Sequence, residues 1–312
     1  MGEEGRRAQR EIADLAARHS MRVLGPNCQG AANLATGAVT SFSTCFADHH
    51  VTDGSIAIVS QSGAEAGMLS EIQHAHPTGI RYWVATGNEA DLDVPELVRW
   101  TLRDPDVRVE AYCEHIEDAA TLAAAAEARE AGKAILTIKS GSTPEGRRAA
   151  GSHTGAFAQE EPVIDAFLRT HGIVRVESLA EMADHARVFT AGNRPRGDRV
   201  AILSNSGGLG VMVADRCRGA GLRLAEFTPE TEARLRELLP AFAATANPVD
   251  VTAQLLNDPR LLAHVLPVLA ADPGVDIVLP VLGMMGHGYD VPGVTEDIVR
   301  TIGTPACWWP WP

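Results

Sequence analysis

Short apolar runs and longer amphipathic stretches alternate along most of the chain. Ile56-Ala57-Ile58-Val59 is one such run, and nearly continuous apolar strands are typical of a sheet that is buried on both faces. The amphipathic stretches extend over about ten residues or more and repeat their apolar side chains at helical spacing. Strands separated by helices of this length predict α/β domains with parallel, doubly wound sheets.

The pattern predicts individual elements. Strands are expected at residues 22–24, 55–59, 80–85, 107–113, 134–138, 173–176, 200–203 and 276–282. Helices are expected at residues 3–19, 63–74, 94–102, 119–130, 179–190, 209–218, 229–238, 260–270 and 294–301. Helical segments are also expected after the loop at residues 140–152, as far as about residue 170. A polar linker at residues 192–197, rich in Gly, Pro and Arg, separates two alternating series.

Three parts of the chain follow from these breaks. Residues 1–50 begin with one helix, a short strand and a glycine-containing turn, which is the pattern expected for the end of an α/β unit. Residues 51–193 and 197–312 each contain strand–helix alternation and predict two doubly wound domains. We expect the second of these to be truncated, because a doubly wound domain normally has one or two further strands.

Composition excludes several classes of protein. The 312 residues include 27 basic and 40 acidic side chains, so the formal net charge of −13 argues against binding to nucleic acid or to an anionic membrane surface. The five cysteines are far apart, which is typical of a reducing compartment. No apolar run approaches the roughly 20 residues that span a bilayer. The sequence therefore predicts a soluble cytoplasmic protein.

Two turns share one design. Ser60-Gln61-Ser62-Gly63-Ala64 and Ser204-Asn205-Ser206-Gly207-Gly208 each follow an apolar strand and open a predicted helix. Small residues at a helix start let backbone N–H groups approach an anion, and the helix dipole adds partial positive charge. Small residues are also common at such turns in any doubly wound domain, so a purely structural interpretation stays open. Neither turn has the glycine spacing of a nucleotide loop or of a serine-hydrolase elbow.

One histidine has an unusual setting. His153 lies between Gly151 and Gly155 at the end of a polar, glycine-rich loop. A neutral imidazole is a good nucleophile near pH 7, and a mobile loop can move it between sites. Glu114 follows a predicted strand and is the candidate to hold one ring nitrogen protonated. The other histidines lack a carboxylate or cysteine cluster at ligand spacing, so no metal site is predicted.

These residues resemble the NDP-forming acyl-CoA synthetases, which include the ADP-forming acetyl-CoA synthetases and the succinyl-CoA synthetase superfamily. The motifs that are similar to this family are Gly25-Pro26-Asn27-Cys28, Ser60-Gln61-Ser62-Gly63-Ala64, Gly87-Asn88 with Asp91-Leu92-Asp93, Tyr112-Cys113-Glu114, Lys139-Ser140-Gly141, Ser152-His153-Thr154-Gly155-Ala156, Asn205-Ser206-Gly207-Gly208 and Asn247-Pro248-Val249-Asp250. Their number and order make the resemblance specific. It implies two flavodoxin-like domains preceded by a remnant of a Rossmann-type CoA-binding domain.

The resemblance implies an acid–CoA ligase. Acyl-CoA and phosphate would give an acyl phosphate, whose phosphoryl group moves to His153 and then to a nucleoside diphosphate. Glu114 would fix the imidazole, and the two helix starts, at Gln61 to Ala64 and at Asn205 to Gly208, would hold the phosphoryl group. The turn Gly25-Pro26-Asn27-Cys28 would contact coenzyme A.

The resemblance also implies partners. An ATP-grasp subunit or domain would bind the nucleotide (ATP or ADP) and its magnesium ion. This chain is expected to lack that domain and most of the CoA-binding domain. Oligomerisation is also expected. Two alternatives stay open: a non-catalytic acyl-CoA-binding or scaffolding protein that keeps the fold, and a regulatory module of an acyltransferase.

Overall fold

The computed structural model describes residues 2–48, 51–63, 68, 72, 78–113, 119–138, 143, 145, 161–191, 195–283 and 285–302. The chain divides into two compact units, Met1–Gly192 and Asn193–Pro312. Within the described part of the chain, no helix is long and apolar enough to cross a membrane.

The described strands of the first unit form one seven-stranded sheet. They are β1 (Gly30–Asn33), β2 (Ala38–Ser41), β3 (Ile56–Ser60), β4 (Ile80–Ala85), β5 (Val109–Cys113), β6 (Ala134–Ile138) and β7 (Ile173–Val176). Their order in the sheet is β2-β1-β4-β3-β5-β6-β7. The five strands from β4 to β7 are parallel, and β1 is antiparallel to both of its neighbours.

Helices cover both faces of this sheet. The described helices are α1 (Glu3–Arg18), α2 (Cys45–Asp48), α3 (Val94–Thr101), α4 (Ala119–Glu130), α5 (Glu161–His171) and α6 (Leu179–Thr190). Apolar side chains of α3, α4 and α5 form one buried cluster against the sheet. Those of α6, with Met68 and Ile72 from the helix predicted after β3, form a second cluster. Two separate cores on one sheet confirm the doubly wound fold.

The amino-terminal part differs from the prediction. Residues 22–24 are not a strand: the backbone N–H of Val23 donates to Oδ2 of Asp91 at 2.6 Å instead of pairing within the sheet. The hairpin of β1 and β2 was not predicted, because its side chains are small or exposed and give no apolar alternation. Since β1 pairs with β4, it belongs to the sheet of the first unit. The assignment of residues 1–50 to a remnant domain stays a prediction.

The second unit contains a smaller sheet in which every described pairing is parallel. Its strands are β8 (Arg199–Ser204), β9 (Arg223–Leu224), β10 (Val249–Asp250) and β11 (Ile277–Val281). Its helices are α7 (Gly207–Gly219), α8 (Pro229–Leu238), α9 (Leu261–Ala271) and α10 (Val291–Ile302), with a 3-10 turn at Thr252–Leu256. Strand β8 lies in the centre, between β11 on one side and β9 and β10 on the other.

This sheet is also covered on both faces. Side chains of α8, α9 and α10 form the larger core with alternate residues of β8, whereas α7 packs on the opposite face through Cys217 and its partly buried neighbours. The ion pair of Arg199 and Asp276 joins the amino ends of β8 and β11, with Nε to Oδ2 at 2.7 Å. It lowers the pKa of Asp276 to about 2. This unit therefore repeats the predicted architecture on fewer strands.

A carboxyl group lies inside the core of the first unit. Glu110 of β5 is fully buried, and its Oε1 accepts a hydrogen bond from Oγ1 of Thr101 at 2.7 Å. Its Oε2 has no hydrogen-bond partner among the described residues. Burial raises the pKa of Glu110 well above its usual value, and the nearby ammonium of Lys133 offsets only part of this shift.

We expect the Glu110→Gln variant to remove a pH dependence of stability. In the unfolded chain Glu110 ionises at about pH 4.3, whereas in the folded chain it stays protonated to higher pH. The unfolded state therefore loses a proton first, and the wild-type free energy of unfolding falls by about 1.4 kcal/mol per pH unit between the two pKa values. Urea unfolding from pH 5 to pH 8 measures this slope.

The amide that replaces the Glu110 carboxyl is neutral in both states, so the stability of the variant relative to wild type should rise with pH. Glu130→Gln, at an exposed position at the end of α4, is the control and should show a constant difference. A constant difference for Glu110→Gln as well would contradict the buried neutral carboxyl.

Candidate functional site

The first predicted phosphate turn lies at the carboxyl end of β3. Parallel pairing sets Ser60 beside Ala85, so the loops after β3 and β4 leave the same edge of the sheet. The backbone N–H of Ser62 donates to Oγ of Ser60 at 3.1 Å, which closes the turn. Gly63 lies against the amide of Gln29, where a Cβ atom would clash with Nε2. A larger residue at position 63 would therefore have to displace the Gln29 side chain. Ala64 lies outside the described residues.

A half-buried carboxylate links this turn to the loop after β4. Oε2 of Glu89 accepts from Nε2 of Gln61 at 2.6 Å. Oε1 accepts from Oγ1 of Thr86 at 2.8 Å and from the backbone N–H of Val94, at the start of α3, at 3.2 Å. Burial raises the pKa of Glu89, and these hydrogen bonds reduce the shift. Glu89 was not predicted as a site residue, although it lies between two family motifs at a strand end.

The predicted CoA turn contacts the same loop. Gly25 has a φ of +105°, and a Cβ on it would lie 2.9 Å from Sγ of Cys28. The carbonyl oxygen of Pro26 accepts from the backbone N–H of Asn88 at 2.8 Å, and Nδ2 of Asn27 donates to Oδ1 of Asn88 at 3.2 Å. The structure therefore brings together the motif that begins at Gly25 and the motif that begins at Gly87.

Ion pairs hold the chain before this turn. Arg22 contacts Oδ2 of Asp91 at 3.1 Å and Oε2 of Glu96 at 2.8 Å. Its hydrogen bonds lower the pKa of both carboxyl groups.

Gln29, which follows the turn, has a buried Oε1 with no hydrogen-bond partner in the described part of the chain. The segment from Arg22 to Gln29 is thus anchored at the carboxyl edge of the sheet.

The second predicted phosphate turn opens α7. Two hydrogen bonds with the backbone of Gly283 fix the side chain of Asn205. Nδ2 of Asn205 donates to the carbonyl oxygen of Gly283 at 2.9 Å, and the backbone N–H of Gly283 donates to Oδ1 of Asn205 at 3.0 Å. Ser206, Gly207 and Gly208 are exposed. The Ser206 side chain makes no capping hydrogen bond among the described residues. The first N–H groups of this 13-residue helix are therefore accessible to an anion.

The Asn247 motif supports this helix start. Asn247 joins three backbone segments, since its Nδ2 donates to the oxygens of Val200 and Ala225 and its Oδ1 accepts from the N–H of Ile202. Asp250 lies beside the first residue of α7, where a Cβ on Gly207 would be 2.9 Å from Oδ2. This motif and the start of α7 lie together at the carboxyl end of β8.

The two predicted catalytic residues, His153 and Glu114, lie outside the described residues, so their roles stay predictions. The residues that the structure does describe fall at carboxyl edges of parallel strands, which is the position where doubly wound folds bind ligands. No group of three His, Cys, Asp or Glu side chains that could hold a metal ion is found in the described part of the chain.

Known families match both units. The succinyl-CoA ligase-like flavodoxin domain matches residues 53–189, and the ligase-CoA domain matches residues 200–282.

Similar proteins cover nearly the whole chain. The acetate–CoA ligase (ADP-forming) II subunit alpha of Pyrococcus furiosus is 34% identical over 90% of this chain and 60% of its own length. The acetate–CoA ligase (ADP-forming) I of Archaeoglobus fulgidus is 34% identical over 90% of this chain and 40% of its own length.

A solved structure has the same fold. The dinucleotide-forming acetyl-coenzyme A synthetase 1 of Ca. Korarchaeum cryptofilum, in complex with phosphate and ADP, aligns with a TM-score of 0.82 at 28% identity. The alignment covers 94% of this chain and 62% of that structure. This chain thus spans between 40% and 62% of the length of these three proteins. The chain therefore contains a succinyl-CoA ligase-like flavodoxin domain and a ligase-CoA domain, and it is similar to ADP-forming acetate–CoA ligases along most of its length, as its motifs predicted.

Proposed function

We propose that this chain is the alpha-type part of an acid–CoA ligase that forms a nucleoside diphosphate. It would interconvert acyl-CoA, phosphate and a nucleoside diphosphate with a carboxylic acid, coenzyme A and a nucleoside triphosphate. The main support is the exposed, uncapped start of α7 beside the fixed Asn205 side chain. The names of the relatives, which are ADP-forming acetate–CoA ligases, support the same reaction.

The reaction would pass through three transfers. A phosphate oxygen attacks the thioester carbonyl, the C–S bond breaks, and the CoA thiolate departs. The product that remains is an acyl phosphate. A nitrogen of His153 then attacks phosphorus, the P–O bond to the acyl group breaks, and the carboxylate leaves. An oxygen of the nucleoside diphosphate finally takes the phosphoryl group, and the N–P bond breaks. Glu114 would accept a hydrogen bond from the other ring nitrogen during the transfers.

The two helix starts suit a phosphorylated histidine. A helix dipole stabilises an anion by about 0.3–1 kcal/mol when exposed and by up to about 2 kcal/mol when partly buried. Backbone N–H groups at Gly63, and at Gly207 and Gly208, would add hydrogen bonds to the phosphoryl oxygens. The turn at Gly25, which touches the loop after β4, would contact coenzyme A.

A partner would supply the nucleotide site. We infer that an ATP-grasp subunit or domain binds the nucleotide with magnesium, as the resemblance of the motifs to the ligase family implies. The Pyrococcus furiosus relative is named as an alpha subunit, which supports a second subunit in the active ligase.

We expect labelled acetyl phosphate to phosphorylate the full chain at His153. The acetyl group of acetyl phosphate is small, so we expect this donor to enter an acyl site built for acetate or for a larger acid. The label should be stable in alkali and lost in acid, as a phosphohistidine is. His153→Ala should abolish it, whereas His19→Ala, at an exposed position after α1, should keep it. Absence of label in wild type, or equal label in His153→Ala, would reject the proposal.

We expect two neighbouring glycines at the start of α7 to respond oppositely to alanine. A Cβ on Gly207 would lie 2.9 Å from Oδ2 of Asp250, whereas a Cβ on Gly208 meets no atom within 4 Å. Gly207→Ala should lower the free energy of unfolding by about 1 kcal/mol, the low end of overpacking, because the contact is with one carboxylate oxygen that can shift. Gly208→Ala should leave it unchanged or raise it by up to about 1 kcal/mol, since alanine favours the helix.

Urea unfolding of the two variants measures this difference. The reverse order of stability would show that the helix start does not lie against Asp250. The geometry proposed for the second phosphate site would then be wrong.

A further inference from the structure

The side chain of Glu89 connects the loop after β4 to the predicted phosphate turn after β3. Both of its carboxylate oxygens accept hydrogen bonds, Oε2 from Gln61 and Oε1 from Thr86 and the backbone of Val94. It is also in the left-handed region, with a φ of +56°, which is uncommon for a residue other than glycine, asparagine or aspartate. A backbone conformation of this kind at a strand end often marks a functional position.

The contact with Glu89 determines how the Gln61 amide is oriented. A carboxylate is only an acceptor, so the nitrogen of the amide, and not its oxygen, must face Oε2 at 2.6 Å. An amide nitrogen has two hydrogens in one plane. One hydrogen of the Gln61 amide nitrogen forms the bond to Glu89. The second hydrogen of that nitrogen is therefore directed away from the carboxylate. Gln61 is the first residue of the turn that follows β3, so this second N–H is held at the turn.

We propose that Glu89 is a positioning residue, which holds the Gln61 amide so that its second N–H donates to the phosphoryl group at the turn after β3. The inference rests on the proposed function, because it requires a phosphoryl group at this turn. A hydrogen bond from an amide polarised by a carboxylate is stronger than one from an isolated amide, since charge-assisted and chained hydrogen bonds strengthen one another.

A purely structural role predicts something different. Glu89 contacts the start of α3 through Val94, so its only task could be to cap that helix. Loss of a cap lowers stability by about 0.5–2 kcal/mol but does not change the reaction of the folded protein selectively. The two roles are therefore separated by measuring the reaction and the stability of the same variants.

The experiment measures the rate of His153 labelling by labelled acetyl phosphate, over a range of concentrations, together with the unfolding temperature. We expect Glu89→Gln and Gln61→Leu each to lower the maximal rate about 10-fold or more, the effect of losing a hydrogen bond to a charged group. The double variant should be no slower than Gln61→Leu alone, because Glu89 acts only through the Gln61 amide, which that variant already lacks. Glu127→Gln is the matched control, since the Glu127 carboxylate of α4 likewise accepts a side-chain hydrogen bond, from Arg99, but makes no hydrogen bond to the turn after β3 within the described part of the chain.

A swap of the two side chains protects the test against misfolding. In the Gln61→Glu/Glu89→Gln double variant an amide and a carboxylate still face each other, so the contact and the fold are kept. The carboxylate now lies in the turn and cannot donate to phosphate, and the positioning role predicts that the swap stays slow. A swap that restores the wild-type rate would assign Glu89 a structural role only.

The remaining outcomes separate this inference from the proposed function. Wild-type rates in Glu89→Gln, or additive losses in the double variant, would overturn the inference while labelling at His153 still supported the ligase. Absence of His153 labelling in the wild type would overturn both.

Discussion

Parallel pairing of β3 with β4 and β5 is the constraint on which the site in the first unit depends. Because all three strands run in one direction, their carboxyl ends lie at one edge of the sheet. The loops after β3 and β4 therefore leave the sheet side by side, and Gln61 reaches Glu89 across them at 2.6 Å. An antiparallel partner for β3 would have placed the second loop at the opposite edge.

Close contacts explain why these loops contain small residues. Gly63 lies against the Gln29 amide, Gly87 against the carbonyl groups of Pro26 and Asn27, and Gly207 against Asp250. At Gly87 a Cβ atom would meet backbone and the φ is +67°, so glycine is required there, whereas at Gly63 and Gly207 it would meet the end of a polar side chain that would have to move. The small residues that suggested phosphate binding thus allow the loops to pack, which supports the structural interpretation of these turns, and phosphate binding at them stays a proposal.

Most of the regular elements could be predicted from the sequence, since buried strands such as Ile80–Ala85 and amphipathic helices such as Pro229–Leu238 have distinct apolar patterns. The hairpin at Gly30–Asn33 and Ala38–Ser41 could not, because its stability comes from pairing with β4 and not from apolar alternation. Residues 22–24 resembled a strand in composition, but their backbone groups are satisfied by the loop after β4.

The sequence by itself indicated the resemblance to the ligases, the doubly wound architecture and the candidate turns, because helix and strand periodicity and ordered motifs are local properties of the chain. Only the tertiary structure decided that Glu89 meets Gln61, that the turn at Gly25 touches the loop at Gly87, and that Asp250 lies beside Gly207. Each of these contacts joins residues that are distant in sequence. Their distances depend on strand order and register, and a linear pattern of residues does not contain that information.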